Sequence, residues 1–121
     1  MPRFITKQIH AYLDYPVAVA LIAAPFLLGL GASNPLALWL SVATGVAAFI
    51  LTLLTDHHLG VVRVLPYKLH LAVDGIVGLV FLVAPTVLGF SGLDAVYYWV
   101  LGGTVAVVLD LHKPEADLIT A

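Results

Sequence analysis

Between Tyr15 and Thr55 the chain carries no Asp, Glu, Lys, Arg or His, and between Gly75 and Leu109 the one formal charge is Asp94. A helix needs roughly 20 mainly apolar residues to cross a hydrocarbon core of ~30 Å. Each stretch holds two such helices and is broken once by turn-forming residues. The breaks are Gly31-Ala32-Ser33-Asn34-Pro35 and Ser91-Gly92-Leu93-Asp94. With 62% hydrophobic and 10% charged residues, the 121-residue chain lies far from a soluble composition of about half apolar and a quarter charged. A soluble domain of this size cannot hide so much apolar surface. The sequence therefore predicts an all-α polytopic membrane four-helix bundle. It forms a single membrane domain over 1–121, with transmembrane helices at about 15–30, 36–55, 69–90 and 95–111.

The chain also repeats itself at an offset of sixty residues. Arg3, His10, Asp14, Val17, Ala24, Pro25, Leu28, Gly29, Trp39 and Thr44 recur as Arg63, His70, Asp74, Val77, Ala84, Pro85, Leu88, Gly89, Trp99 and Thr104. Apolar coincidences are cheap in such a chain, so the rarer residues carry the argument. Both Trp, two of the five His, and paired Asp and Pro fall in register without a gap. A duplication explains this. Repeat 1 covers about 3–55 and repeat 2 about 63–113, and each is a helical hairpin. Two spans per repeat return the chain to its starting side, so the hairpins run in the same direction. They are expected to be related by a pseudo-two-fold axis along the membrane normal.

Arg3, Lys7, Arg63, Lys68 and Lys113 share the side of the termini and the central loop, and the two short turns opposite have no Lys or Arg. The positive-inside rule then places both termini and the loop 56–68 in the cytoplasm. The small residues of "GLGAS" also resemble a signal-peptide cleavage site. Cleavage after Ala32 would discard a helix whose counterpart the second repeat keeps, so the segment is read as a span. The residues before Tyr15 read as an amphipathic interfacial lead-in. No cysteine is available for disulfides or thiolate ligands. A net charge of −2 argues against nucleic acid as a partner.

Pro25 and Pro85 lack the N–H that would bond the carbonyls of Leu21 and Phe81, so kinks and substitute donors are expected there. Gly29 and Gly89 are read as points of close helix approach. Ser41 with Gly45, and Gly102 with Ala106, have the small-xxx-small spacing of helix contacts in lipid. Trp39 and Trp99 suit an aromatic belt.

The recurring units "DYPVAVALIAAPFLLGLG…LALWLSVATG" and "DGIVGLVFLVAPTVLGFSGLDAVYYWVLGG" resemble the SPW-repeat family of prokaryotic membrane proteins. Here Ala24-Pro25-Phe26 and Ala84-Pro85-Thr86 stand where that family has Ser-Pro-Trp. Leu28-Gly29, Leu88-Gly89 and the Trp of each second helix remain. The resemblance implies a four-span bundle in a prokaryotic inner membrane, and it supplies no activity or cofactor.

Chemistry concentrates on the side of the termini. His10, His57, His58, His70, His112, Asp14, Asp56, Asp74 and Asp110 all fall there. His-x-x-x-Asp occurs twice, as His10 to Asp14 and His70 to Asp74, and residues four apart share a helical face. Each pair can offer an imidazole nitrogen and a carboxylate oxygen to one ion of the Zn²⁺ or Fe²⁺ kind. Under the pseudo-two-fold axis His10 and His70 are also placed as bis-imidazole haem ligands. The plainer account makes Asp14 and Asp74 N-caps of the first and third helices, with Pro16 in a first turn. A cap needs only the Asp, yet the duplication kept the His as well. No nucleophile elbow, phosphate loop or zinc-protease motif is present. The expected function is a non-catalytic membrane protein, a homo-oligomer in the bilayer, with a His/Asp cluster for a metal ion or haem. The alternatives are a ligand-free structural or assembly protein and a small proton-coupled transporter.

Overall fold

A computed structural model describes residues 6–55, 60–62 and 64–111. Among the described residues there are four helices, α1 Lys7–Leu28, α2 Leu36–Leu54, α3 Tyr67–Leu88 and α4 Gly92–Asp110. All four are long and apolar enough to cross a membrane. The chain is a multi-pass membrane protein, with α1 packed on α2 and α3 on α4 as two hairpins.

Helix α1 begins well before the charge-free stretch. Thr6 caps it, its hydroxyl accepting from Ile9 N–H at 3.2 Å, and α3 starts after Pro66. Asp14 and Asp74 therefore lie two turns inside their helices. Their reading as N-caps is overturned, and Pro16 sits mid-helix; residues 1–5 of the lead-in lie outside the described residues, and from Lys7 it is continuous with α1.

Both first helices of the hairpins end alike. Gly29 and Gly89 take left-handed conformations, with φ of 66° and 72°, just past Leu28 and Leu88. Leu30 N–H then reaches back to Pro25 O, and Phe90 N–H to Pro85 O, each at 2.9 Å. This is a Schellman closure, in which the glycine escapes the Cβ penalty of φ > 0. The two glycines are helix stops, not points of close approach, because a Cβ on either would meet nothing within 4 Å. The carbonyl that Pro25 frees finds its donor across the hairpin: Ser41 Oγ–H donates to Leu21 O at 2.8 Å.

Close approach occurs instead at Gly45 and Gly102. A Cβ on Gly45 would lie 2.8 Å from Ala18 O, and one on Gly102 would lie 2.9 Å from Gly78 O. Ala106, the other half of the predicted small-residue pair, is exposed. Ala18 and Gly78 are repeat mates sixty residues apart, whereas Gly45 and Gly102 are fifty-seven apart. The second helices are thus slipped by about one turn, roughly 4.5 Å, against the match that the two Trp suggest. The short link between Leu88 and Gly92, compared with that between Leu28 and Leu36, is the cause. Trp39 accordingly sits against Phe26 at a ring separation of 6.1 Å, while Trp99 Nε1–H donates to Leu82 O one turn further from the hairpin turn.

The hairpins are sewn together at the turn end. Asp94, 2% exposed, accepts from Gly31 N–H at 2.9 Å, Ser33 N–H at 3.0 Å and Ser33 Oγ–H at 2.6 Å. Asn34 Nδ2–H donates to Leu88 O. Beneath this layer lie Leu21, Leu30, Phe81, Phe90, Tyr97 and Tyr98. Tyr98 O–H donates to Ala37 O at 2.7 Å, and Tyr97 O–H is 2.6 Å from Ser41 Oγ. At the opposite end α2 closes on a returning loop: Val61 and Val62 N–H bond Leu53 O, and Val64 and Leu65 N–H bond Leu54 O.

Two predictions follow from this packing. Gly102→Ala forces a methyl against backbone and is expected to cost about 1–3 kcal/mol. Gly103→Ala, with open space at its Cβ, is expected to be neutral or stabilising; thermal unfolding in detergent compares them. Asp94→Asn leaves one carbonyl oxygen for donors that two carboxylate oxygens now serve. A loss of about 2 kcal/mol is expected, the scale of hydrogen bonds to charged groups. Hydrogen exchange should quicken first at Gly31 and Ser33.

Candidate metal centre between the repeats

His10 and Asp14 sit one turn apart on α1, as do His70 and Asp74 on α3. The fold brings the two pairs face to face. His10 Nε2 lies 2.9 Å from Asp74 Oδ2 and 3.1 Å from Asp14 Oδ1. His70 Nε2 lies 3.2 Å from Asp14 Oδ2 and 3.3 Å from Asp74 Oδ2. Each imidazole thus meets its own repeat's carboxylate and its neighbour's, and the crossing is reciprocal, as the duplication requires. Both His are buried, at 4% and 1% exposure, and the rings stand at 85° with centroids 5.7 Å apart. Tyr67, buried, stacks on His70 and meets His10 edge-on.

Thr55 sets the chemistry of His70. Its hydroxyl lies 2.6 Å from Leu51 O, which can only accept, so the single hydroxyl proton goes there. Thr55 Oγ1 also lies 2.7 Å from His70 Nδ1, and with its proton committed it must accept. Nδ1 therefore carries a hydrogen, and Nε2 is the nitrogen presented to the carboxylates. Bare nitrogen and carboxylate oxygen repel at these distances, so each such contact calls for a proton or a cation. The group can serve either as an imidazolium–carboxylate quartet or as a ligand set. Its four donor atoms all lie within 4.8 Å of one another.

The cluster lines one end of a cavity of about 600 Å³ walled by all four helices. The rest of the lining is almost wholly apolar, including Val17, Leu21, Ala47, Leu51, Val77 and Val105. Four residues of the predicted site are thus assembled. Asp110 is exposed at the last residue of α4, and the assembled group does not include it. Asp56, His57, His58 and His112 lie outside the described residues. Thr55 was not anticipated. It meets α3 because the returning loop pairs it with Leu65 in an isolated bridge, just before Tyr67.

The SPW repeat domain matches residues 8–112, nearly the whole of both hairpins. The chain belongs to the SPW repeat family. Comparison with curated proteins and with solved structures gave no match. In this SPW-repeat protein the Pro and Leu-Gly of the repeat build the helix stop just described, and the second-helix Trp faces outward. The His/Asp pairs lie within the matched region and outside the Ser-Pro-Trp core.

The assignment of His70 has a direct check. Thr55→Val removes the acceptor of Nδ1–H and is expected to cost about 1–3 kcal/mol. It should also speed solvent exchange of that proton in nitrogen-edited NMR. Thr55→Ser should restore both.

Proposed function

We propose that this chain is a non-catalytic membrane protein that holds one divalent transition-metal ion between its repeats, on His10, Asp14, His70 and Asp74. The observation that carries the reading is the convergence of two imidazole nitrogens and two carboxylates from facing helices. Ionisable groups inside a membrane span are costly, by roughly 2.5–3.5 kcal/mol for a central Asp, Lys or Arg, and they usually mark function. Two carboxylates and two neutral imidazoles balance the charge of a divalent ion. Zinc–nitrogen and zinc–oxygen bonds of about 2.0–2.2 Å put tetrahedral ligands about 3.3–3.6 Å apart. The N···O separations of 2.9–3.3 Å need open only slightly. Thr55 supplies the outer hydrogen bond that orients a ligating His.

A small ion suits this geometry better than haem, because the carboxylates fill the space between the imidazoles where a porphyrin would lie. The ligand-free structural reading draws on a different observation. At 2.9 Å the His10–Asp74 contact is already a direct hydrogen bond, and a proton can replace the ion. The transporter reading gains acidic residues inside the spans, but the packed layer of Leu21, Phe81 and Tyr98 lies across the bundle beyond the cavity. By the positive-inside rule the cluster faces the cytoplasm of a prokaryotic inner membrane, with both termini on that side. Exposed small and aromatic residues leave room for a homo-oligomer in the bilayer.

Elemental analysis of detergent-purified protein is expected to find one zinc or iron per chain, restored after chelation by adding that ion. His10→Ala and His70→Ala should each abolish stoichiometric metal, and Thr55→Val should weaken affinity about 10–100-fold. No stoichiometric metal and no uptake would sink the metal reading in favour of the protonated quartet. A Soret band would transfer it to haem.

A further inference from the structure

We infer that the cavity behind the cluster is a binding site for a single-chain amphiphile whose head donates hydrogen bonds to Asp14 and Asp74. This does not rest on the metal reading. The cavity's shape, lining and depth each point to such an occupant. Its volume of about 600 Å³ lies within the range of small-molecule sites, about 300–1,000 Å³. Its polar atoms are gathered at one end. Of the other lining residues only Thr44 and Thr52 carry hydroxyls, and these are turned onto their own helix, donating to Leu40 O and Ala48 O. The contents therefore meet carboxylate and imidazole at one end and hydrocarbon everywhere else. From His10 to Leu21 the lining runs about 16 Å along α1 at 1.5 Å per residue. One leaflet of a ~30 Å hydrocarbon core is about as deep, so the cavity is one lipid chain long.

The head chemistry follows from which groups face it. Asp14 and Asp74 side chains keep 12% and 22% exposure, more than the 5% and 2% of the two imidazoles. The two carboxylate side chains, Asp74 above all, are thus the more accessible partners. An amine or alcohol can donate to them, whereas a fatty acid would bring a third carboxylate beside two. Small residues make the space: Ala43, Ala47 and Ala48 of α2 line the cavity, where larger side chains would fill it.

The test uses the full chain in nanodiscs, treated with chelator so that no metal competes for the carboxylates. Radiolabelled dodecylamine, dodecanol and dodecanoic acid are the probes. One amine or alcohol should be retained per chain after gel filtration, and unlabelled amine should displace it. Dodecanoic acid should not be retained. Ala47→Phe, which fills the cavity, should abolish retention, while Ile50→Phe, on the same helix but outside the lining, should not. Val105→Phe gives a second filling from α4 should Ala47→Phe lose its helical circular dichroism. Equal retention by the filled and unfilled chains, or preference for the acid, overturns the inference. Reloading with zinc and measuring its stoichiometry on the same samples separates failure here from failure of the metal site.

Discussion

Hydrocarbon supplies no hydrogen-bond partner, so every polar group that enters the bilayer must find one within the chain. That constraint organises most of what distinguishes this bundle from four greasy cylinders. Pro25 frees the Leu21 carbonyl, and Ser41 of the neighbouring helix donates to it. The last carbonyls of α2 are met by the backbone of the returning loop. Asp94 is buried because Gly31 and Ser33 turn two amides and a hydroxyl onto it. The four ionisable groups of α1 and α3 are buried because they face one another.

These satisfactions fall at opposite ends, and they join the two hairpins there. At the turn end, Asp94 ties α4 to the link before α2, and Tyr98 ties it to α2 itself. At the other end, the His/Asp quartet ties α1 to α3. Between the joints all four helices line the cavity, Ala43, Ala47 and Ala48 of α2 among the lining, and the quartet lies at one end of it. The site and the space behind it are thus products of one arrangement. Where α1 and α3 face each other the duplicated polar residues converge, and the apolar lining lies behind them.

How far the sequence could be read depended on whether a signal was local. The charge-free stretches disclosed the spans, and the shared His and Asp disclosed which residues would be symmetry mates. The starts of α1 and α3 were less legible, because Lys7 and Lys68 in their first turns look like boundary markers although the helices run through them. That error demoted Asp14 and Asp74 to caps when they are interior residues. Gly29 and Gly89 were legible as special but not as helix stops, since spacing alone cannot separate a positive φ from a close contact. The slip of α4 was hidden behind the matching Trp, because the shorter link before Gly92 shifts which residue of α4 lies beside Gly78.

By itself the sequence determined that there would be four membrane helices in two like hairpins, and that His10, Asp14, His70 and Asp74 would share one side. Hydropathy, helical period and duplication act along the chain, and these properties follow from them. Tertiary structure alone decided that the two pairs interleave, that Thr55 directs His70 toward the carboxylates, and that a cavity opens behind them. Those depend on how closely two backbones approach and on which hydroxyl lies within reach of which ring. Such distances are set between helices, and no run of residues along one helix contains them.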